Sequence, residues 1–355
     1  MDKKQKAETS VTLAYLAGFD DIIDARTPAE FAEDHIPGAI NLPVLEDRER
    51  VRIGTMYKQV SSFEAKKIGA ALVARNIARH IEDSLLAKPK DWRPLVYCWR
   101  GGNRSGAMVH ILTRIGWRAE QLDGGYKVYR RNVQEMLETL PERLNYRVVC
   151  GATGSGKSRL LAALAKLGAQ VLDLEGLAAH RGSLLGELPS EAQPSQKLFD
   201  SRLWAALQQF DPTQPVFVEA ESKKIGNVHV PDALLEAMWQ SPCVRLEVDA
   251  DLRVMLLMEE YRHFLDNPEA LNLKLDFLVK QHGHAAISRW QEMALKHEWA
   301  ALVAELLTRH YDPAYTRSSR RHYPLYDDAL VLPVGGIGEE DFEALAQQAI
   351  PCLAG

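Results

Sequence analysis

The sequence predicts an α/β protein made of two parallel-sheet domains, the second of which carries a helical insert. Short apolar runs alternate with helically periodic stretches along most of the 355 residues, and strands that alternate with helices favour parallel sheets. Two glycine-rich loops, at residues 98–105 and 151–158, each lie between a predicted strand and a predicted helix. Loops in this position bind anions, because a helix N-terminus presents unpaired N–H groups.

The domain boundaries follow from the same pattern. We expect the first domain over residues 10–138, a linker over 139–145 and the second domain over 146–355. Further strands of the second domain are predicted at 171–174, 216–219 and 244–248, and residues 251–310 have helical periodicity. We interpret this helical region as core or lid, and as a source of an apolar pocket.

The first loop places a thiol at an anion-binding helix start. Cys98 follows a short apolar strand and precedes a helix. The N–H groups and dipole of that helix, together with Arg100 and Arg104, lower the pKa of a thiol. Gly101 and Gly102 let the backbone amides turn towards the sulfur or an attached oxyanion. The sequence therefore predicts a reactive thiolate at Cys98, with the two arginines as anion contacts.

Most of residues 10–135 resembles the rhodanese-like sulfurtransferases. The segments that carry the resemblance are Ile23-Asp24-Ala25-Arg26 with Glu30-Phe31, His35-Ile36-Pro37-Gly38-Ala39-Ile40-Asn41, the 98–105 loop, and Leu122-Asp123-Gly124-Gly125-Tyr126. The resemblance implies that Cys98 carries a persulfide or a related chalcogen adduct. His35 precedes a Pro-Gly turn, so we expect it to make a structural hydrogen bond rather than to act in catalysis.

The second loop has the pattern of a phosphate-binding P-loop, since it follows a strand and opens a helix. Its backbone amides would wrap phosphate oxygens, Lys157 would reach the terminal phosphate, and the Ser158 hydroxyl could bind magnesium. The predicted phosphate-binding residues are Gly151, Thr153, Gly154, Ser155, Gly156, Lys157 and Ser158. The pattern leaves open whether the ligand is ATP or another diphosphate.

A P-loop enzyme that uses magnesium also needs an acidic side chain to position the ion. Two predicted strand ends supply candidates, Asp173 and Glu219. Either could also be an ordinary exposed strand end. The sequence has no Asn-Lys-x-Asp signature for guanine, which argues against a GTPase.

A rhodanese-like domain followed directly by a P-loop NTPase-like domain resembles the tRNA 2-selenouridine synthases. The resemblance covers nearly the whole chain and is carried by the two loops, by Leu174-Glu175-Gly176-Leu177 with His180-Arg181-Gly182-Ser183, and by Glu219-Ala220-Glu221-Ser222. It implies an enzyme that replaces the sulfur of wobble 2-thiouridine in tRNA by selenium from selenophosphate, through Cys98. It also implies a preceding S-geranylation from geranyl diphosphate. We expect no tightly bound cofactor, and whether magnesium binds is left open.

Clustered basic residues are the candidate contacts to the anticodon loop of a tRNA. A net charge of −5 does not favour an RNA partner, so the local density of positive charge matters more than the sum. The candidates are Lys223, Lys224, Arg317, Arg320 and Arg321. Tyrosines at 311, 315 and 323 lie near the arginine cluster and could stack on unpaired bases. A solvated basic loop is the alternative interpretation of that cluster.

Composition limits the class of protein. No apolar stretch reaches the length of a membrane span and no signal-like apolar region follows the N-terminus, so we expect a cytoplasmic protein without a membrane partner. The four cysteines have no metal-ligand spacing. We expect Cys150 and Cys243 to be buried in strands, and Cys352 lies in the tail.

Two other functions share part of this site. One is an ATP-dependent sulfurtransferase that acts on a small molecule or a carrier protein, which would use Cys98 and the P-loop but not the basic cluster. The other is a non-enzymatic regulator in which nucleotide binding gates a rhodanese-like surface. The intact Cys98 loop argues against the regulator, because a binding module has no use for an activated thiol.

Overall fold

The computed structural model describes residues 13–189 and 191–353, apart from the side chains of 13, 14, 316–320, 352 and 353. Its strands are β1 (Asp21–Asp24), β2 (Ile40–Asn41), β3 (Pro94–Tyr97), β4 (Glu120–Gln121), β5 (Asn145–Cys150), β6 (Gln170–Leu172), β7 (Pro215–Glu219), β8 (Lys224–Ile225), β9 (Val228–His229), β10 (Cys243–Val248) and β11 (Leu330–Val334). Its helices are α1 (Leu13–Leu16), α2 (Pro28–Glu33), α3 (Asp47–Gln59), α4 (Ser62–His80), α5 (Asn103–Ile115), α6 (Gly125–Thr139), α7 (Lys157–Lys166), α8 (Leu174–Ala178), α9 (Gln196–Leu207), α10 (Asp232–Trp239), α11 (Ala250–Glu260), α12 (Arg262–Leu265), α13 (Pro268–Leu275), α14 (Val279–Leu295), α15 (Trp299–Leu306), α16 (Asp312–His322) and α17 (Glu339–Leu353).

The chain forms two compact units. The first contains the residues up to Met136 and Ser195–Gln208, and the second contains Leu137–Pro194 and the residues from Gln209 onward. The division along the chain therefore falls within α6, beside the expected linker. Residues 195–208 differ from the sequence-based boundaries, which place everything from 146 onward in the second domain.

The first unit is built on a four-stranded parallel sheet with the order β2-β1-β3-β4. All four residues of β3 are buried, as is usual for a parallel strand covered on both faces. Ile23 of β1, Val96 of β3, and Met108 and Leu112 of α5 belong to one buried cluster. This packing fixes the carboxyl end of β3, where Cys98 follows.

Helix α9 packs within the first unit through its buried face. Trp204 is fully buried and meets the ring of Tyr129 edge-on, with 5.5 Å between the ring centroids. Arg130 of α6 forms an ion pair with Asp200 of α9. These long-range contacts, which the local sequence pattern does not encode, explain why residues 195–208 group with the first unit.

The second unit is built on a five-stranded parallel sheet with the order β11-β10-β5-β7-β6. The strands predicted at 171–174, 216–219 and 244–248 appear as β6, β7 and β10, whereas β11 was not predicted. Cys150 and Cys243 are buried in β5 and β10, as expected. The α/β fold class with two parallel sheets is therefore confirmed.

The helical region of the second unit runs from α11 through α16. It extends past residue 310, because α15 continues through a π-helical turn at Leu307–Tyr311 into α16. A buried cluster around Leu275, Trp290 and Leu302 holds α13, α14 and α15 together. Within the described residues, no helix is both long enough and apolar enough to span a membrane.

Candidate functional site

Cys98 is buried in a loop that stabilises its thiolate. The sulfur accepts a hydrogen bond of 3.1 Å from Ser105 Oγ. Gln121 Nε2 donates to that same oxygen at 2.8 Å, which leaves the hydroxyl hydrogen for the sulfur. Burial raises the pKa of Cys98, but the Ser105 hydroxyl and the backbone N–H groups of Ser105, Gly102 and Arg100 outweigh it, so the pKa lies below its ordinary value. The loop therefore favours a nucleophilic thiolate.

Glycines allow a second segment to pack tightly under this loop. Tyr126 N–H donates to the carbonyl oxygen of Cys98 at 2.8 Å. Gly125 has a φ of +57°, and a Cβ there would lie 2.2 Å from the same carbonyl oxygen. Gly101, with a φ of +63°, is also confined, since its Cβ would lie 2.7 Å from the Leu122 carbonyl oxygen. The segment at 122–126 thus supports the thiol loop directly.

An open pocket of about 470 Å³ surrounds the thiol. Both predicted arginines line it, but they differ in their charge partners. Arg104 forms an ion pair with Glu30, with 2.6 Å between its Nη1 and Oε2, whereas Arg100 is exposed. Arg50 of α3 also lines the pocket and was not predicted, because no local motif connects α3 with the Cys98 loop.

His35 lies outside that pocket. Its Nδ1 is 2.8 Å from the carbonyl oxygen of Phe31, and its ring stacks on the Phe31 ring with 3.9 Å between centroids. Both contacts join the segment that follows α2 to Phe31 within that helix. They account for the side chain without any role at the thiol.

The second loop forms a pocket of about 630 Å³ between β5 and α7. Every residue from Thr153 to Ser158 lines it. Lys157 Nζ donates to the Gly151 carbonyl oxygen at 2.9 Å, and the Gly151 N–H donates to the hydroxyl of Tyr315 at 2.6 Å. Gly156 has a φ of +81°, and a Cβ there would lie 2.3 Å from the ring of Phe342. The loop has the shape of a phosphate cradle.

The acidic side chains at this pocket are not the two predicted ones. Asp173 caps α8, accepting from the Gly176 N–H at 2.7 Å. Glu219 is 2% exposed and accepts from the Glu175 N–H at 2.8 Å. Neither lines the P-loop pocket, whereas Glu175 and Glu221 do. In both segments the acidic residue that lines the pocket comes two positions after the predicted one: Glu175 follows Asp173, and Glu221 follows Glu219.

Glu175 and Glu221 give the P-loop pocket hard oxygen donors beside Lys157. Ser158 Oγ donates to Glu175 Oε2 at 3.2 Å. Burial raises the pKa of Glu175, and burial together with Glu175 raises the pKa of Glu221 to about 8. The described residues contain no cluster of three or more potential metal-ligand side chains. Magnesium, however, is held by one or two carboxylates plus substrate phosphates, so the donors at 158, 175 and 221 fit it.

An apolar cavity of about 60 Å³ adjoins the P-loop pocket. The helical region supplies most of its wall, as the sequence predicted. The two spaces share the residues Thr153, Ser183, Leu257, Tyr261 and Tyr311. The remaining wall is formed by Leu185, Phe264, Leu265, Leu271, Trp299, Leu302, Val303, Leu306 and Leu307. The predicted phosphate-binding loop and the apolar cavity therefore adjoin each other in the second unit.

The predicted RNA contacts have different surroundings. Lys223 forms an ion pair with Asp232 at 2.7 Å, and Lys224 and Arg321 are exposed. The side chains of Arg317 and Arg320 lie outside the described residues. The expected stacking of an unpaired base on the ring at 323 is wrong, because Tyr323 is only 5% exposed.

The fold and the two sites define a protein that joins a thiol-bearing rhodanese-like domain to a P-loop domain. Comparison with known families agrees. The Rhodanese-like domain family matches residues 12–132, and the tRNA 2-selenouridine synthase AAA domain family matches residues 144–325. The chain belongs to the tRNA 2-selenouridine synthase family.

Several relatives carry the name tRNA 2-selenouridine synthase. One from Nitrosomonas europaea is 36% identical over 68% of this chain and 63% of its own length. One from Alcanivorax borkumensis is 37% identical over 68% of this chain and 66% of its own length. These two matches thus span slightly less than two thirds of each relative. A protein from Sulfurovum sp. is 31% identical over 85% of this chain and 89% of its own length.

Proposed function

We propose that this protein converts wobble 2-thiouridine in tRNA to 2-selenouridine by two reactions at two sites. Membership of the family supports tRNA as substrate and selenouridine as product. The first reaction transfers a geranyl group from geranyl diphosphate to the thiouridine sulfur at the P-loop. The second replaces the alkylated sulfur by selenium from selenophosphate at Cys98.

The observation that best supports a geranyl transfer is the apolar cavity next to the P-loop pocket. Geranyl diphosphate combines a diphosphate with an apolar chain, and the two adjoining spaces have linings of the corresponding polar and apolar character. As the bond from allylic carbon to oxygen breaks and the bond to sulfur forms, negative charge grows on the diphosphate. Lys157 and the loop amides stabilise that charge. A magnesium ion held by Ser158, Glu175 and Glu221 would add Lewis-acid stabilisation.

Alkylation prepares the sulfur for replacement, because a geranylthiolate leaves C2 of the uridine more readily than sulfide does. The phosphorus–selenium bond of selenophosphate must also break. In a redox-neutral route the Cys98 thiolate takes the phosphoryl group, the freed selenide attacks C2, geranylthiolate departs, and water returns Cys98 and phosphate. The loop amides stabilise the phosphoryl oxygens. Cys98 is thus needed for selenium transfer and not for geranylation.

Nucleoside mass spectrometry of tRNA carrying 2-thiouridine tests this division of labour. The purified protein is given geranyl diphosphate, selenophosphate or both, and the same is done with Cys98→Ser and Lys157→Ala. We expect Cys98→Ser to accumulate the geranylated nucleoside and Lys157→Ala to lose geranylation at least tenfold. Lys166→Ala is the matched control, since Lys166 is an exposed lysine of the same helix. Normal geranylation by Lys157→Ala would contradict the assignment of the P-loop.

Filling the cavity tests the chain-binding part of the proposal. Val303 lines the cavity and is only half-buried, so Val303→Trp should be tolerated by the fold. We expect the KM for geranyl diphosphate to rise at least tenfold while alkylation of Cys98 by iodoacetamide is unchanged. Val303→Ala, which leaves the cavity open, is the control. An unchanged KM in Val303→Trp would remove the apolar cavity from the substrate site.

A polar pocket of about 680 Å³ favours a second candidate function. It shares Ser155 with the P-loop pocket. It is also lined by Asp249 and Tyr326, groups suited to a nucleotide base. The alternative is therefore an ATP-dependent sulfurtransferase that acts on a small molecule or a carrier protein. Unchanged tRNA nucleosides in every condition, with a persulfide still forming on Cys98, would favour this alternative.

A further inference from the structure

An exposed tryptophan stands beside the buried thiol. Trp99 is 39% exposed and lines the same pocket as Cys98, which is 3% exposed. The ring of Trp99 packs against the ring of Tyr126, with 5.3 Å between the ring centroids and 31° between the ring planes. A large aromatic ring gains stability from burial, so its exposure at the mouth of a reactive site indicates a surface for a ligand.

Helix α3 adds positive charge to the same mouth. None of the 13 residues of α3 is buried, which is unusual for a helix of a folded domain. Its acidic residues accept hydrogen bonds from other parts of the first unit: Asp47 accepts from the Ala29 N–H, and Glu49 accepts from Asn76. Arg50, by contrast, forms no ion pair with any described residue, and it lines the Cys98 pocket.

Cationic side chains and an aromatic ring at one pocket are the groups with which proteins bind single-stranded RNA. Arg50 and Arg100 are exposed, and the described residues supply neither with an acidic partner. Proteins bind unpaired nucleotides by stacking bases on aromatic rings and by placing cations along the phosphates. Of the basic candidates of the second unit, Lys223 already pairs with Asp232.

We propose that the mouth of the Cys98 pocket holds an unpaired RNA loop, with the target uridine stacked on Trp99 and flanking phosphates bound by Arg50 and Arg100. This inference rests on the proposed function, because it takes tRNA as the substrate and says where the base is held for the selenium step. Stacking on Trp99 places the base beside the Cys98 sulfur, and the two arginines fix the strand. Trp99 and Arg50 are therefore positioning residues.

The two positioning residues have distinct signatures. Loss of one stacked base weakens binding by roughly 5- to 150-fold, corresponding to about 1–3 kcal/mol. Stacking releases no counterions, so Trp99→Ala should leave the salt dependence of binding unchanged. Loss of one phosphate contact to a single strand lowers the slope of log K against log salt by about 0.7. Arg50→Ala should show this smaller slope.

The test uses the full chain and a synthetic RNA stem-loop with S-geranyl-2-thiouridine in its loop. Fluorescence anisotropy over a salt series gives affinity and slope, and nucleoside mass spectrometry gives kcat/KM for selenation. Trp99→Phe should restore most of what Trp99→Ala loses, since phenylalanine also stacks. The midpoint of urea unfolding should be the same in all variants, which would show that the fold around the thiol loop is intact.

Arg52→Ala is the matched control for Arg50→Ala. Arg52 is also an exposed arginine of α3, but two residues along a helix it points about 200° away. Equal slopes for the two variants would overturn the assignment of Arg50. Parent-like binding and selenation by Trp99→Ala would overturn the stacking site while leaving the proposed function intact. A parent protein that neither binds nor modifies the thiouridine RNA would refute the proposed function, and this inference with it.

Discussion

Replacing Ser105 by alanine should slow the reaction of Cys98 at neutral pH by roughly tenfold. The Ser105 hydroxyl lies 3.1 Å from the Cys98 sulfur, and both groups are buried. A hydrogen bond to a charged group contributes about 1.5–3 kcal/mol, and 1.4 kcal/mol corresponds to about tenfold in an equilibrium. Loss of this bond therefore shifts the equilibrium from thiolate to thiol by about tenfold or more. The backbone N–H donors remain, so part of the stabilisation survives.

The assay is the rate of alkylation of Cys98 by iodoacetamide as a function of pH, followed by peptide mass. Peptide mapping separates Cys98 from the buried Cys150 and Cys243. Because the bonds from Ser105 and the backbone hold the pKa of Cys98 below its ordinary value, the parent should react at lower pH than a free thiol. The Ser105→Ala profile should be displaced to higher pH, with the same alkaline plateau.

The geometry around Ser105 supplies a graded control. Gln121 Nε2 donates to Ser105 Oγ at 2.8 Å and to the Gly102 carbonyl oxygen at 3.1 Å. Gln121→Ala keeps the hydroxyl but frees its rotation, so its pH profile should move in the same direction by a smaller amount. If Ser105→Ala reacts with the parent's pH profile, the reasoning about the thiolate is refuted.

Two further predictions concern stability. Gly125→Ala should lower the free energy of unfolding by about 3 kcal/mol or more, because its Cβ would lie 2.2 Å from the Cys98 carbonyl oxygen. Gly102→Ala is the control and should change the free energy of unfolding little, because the space at its Cβ is open. Equal denaturant midpoints for the two variants would contradict the prediction. Burial and neighbouring carboxylates hold the pKa of Glu219 well above its ordinary value, so the folded state keeps a proton that the unfolded chain loses above about pH 4.5. The parent should therefore lose stability relative to Glu219→Gln as the pH rises above that value, and a pH-independent difference in urea denaturation would show that Glu219 is ionised when folded.

The two glycine-rich loops could be predicted from sequence because each is contiguous. The strand before it, the glycines and the helix after it lie within one run, so local patterns specify Cys98 and Lys157 together with their surroundings. Strand β11 is different. Pro333 interrupts its pattern, and proline argues against a central strand. It is tolerated because β11 lies at the edge of the sheet, which only the complete topology reveals.

The acidic residues of the P-loop pocket show a second limit of prediction from local sequence, after strand β11. Sequence reasoning chose Asp173 and Glu219 because each closes a predicted strand, but strand ends do not report the depth of a side chain. The structure uses Asp173 as a helix cap and buries Glu219, and it turns Glu175 and Glu221 into the pocket. Arg50 illustrates a third limit, since only the packing of α3 in the first unit brings it to the thiol.

Under the proposed function, the charges of the two pockets decide which anion each can take. The P-loop pocket sets Lys157, Arg159 and Arg181 against Glu175, Glu221 and Glu260, and each of these carboxylates opposes a bare diphosphate when it is ionised. A diphosphate accompanied by a cation relieves that opposition, so this pocket favours the magnesium complex of an anion. The Cys98 pocket has the reverse balance, because Arg50 and Arg100 face no described acidic partner there. It can bind a small anion without a metal, which suits a selenium donor whose phosphoryl group must meet a thiolate.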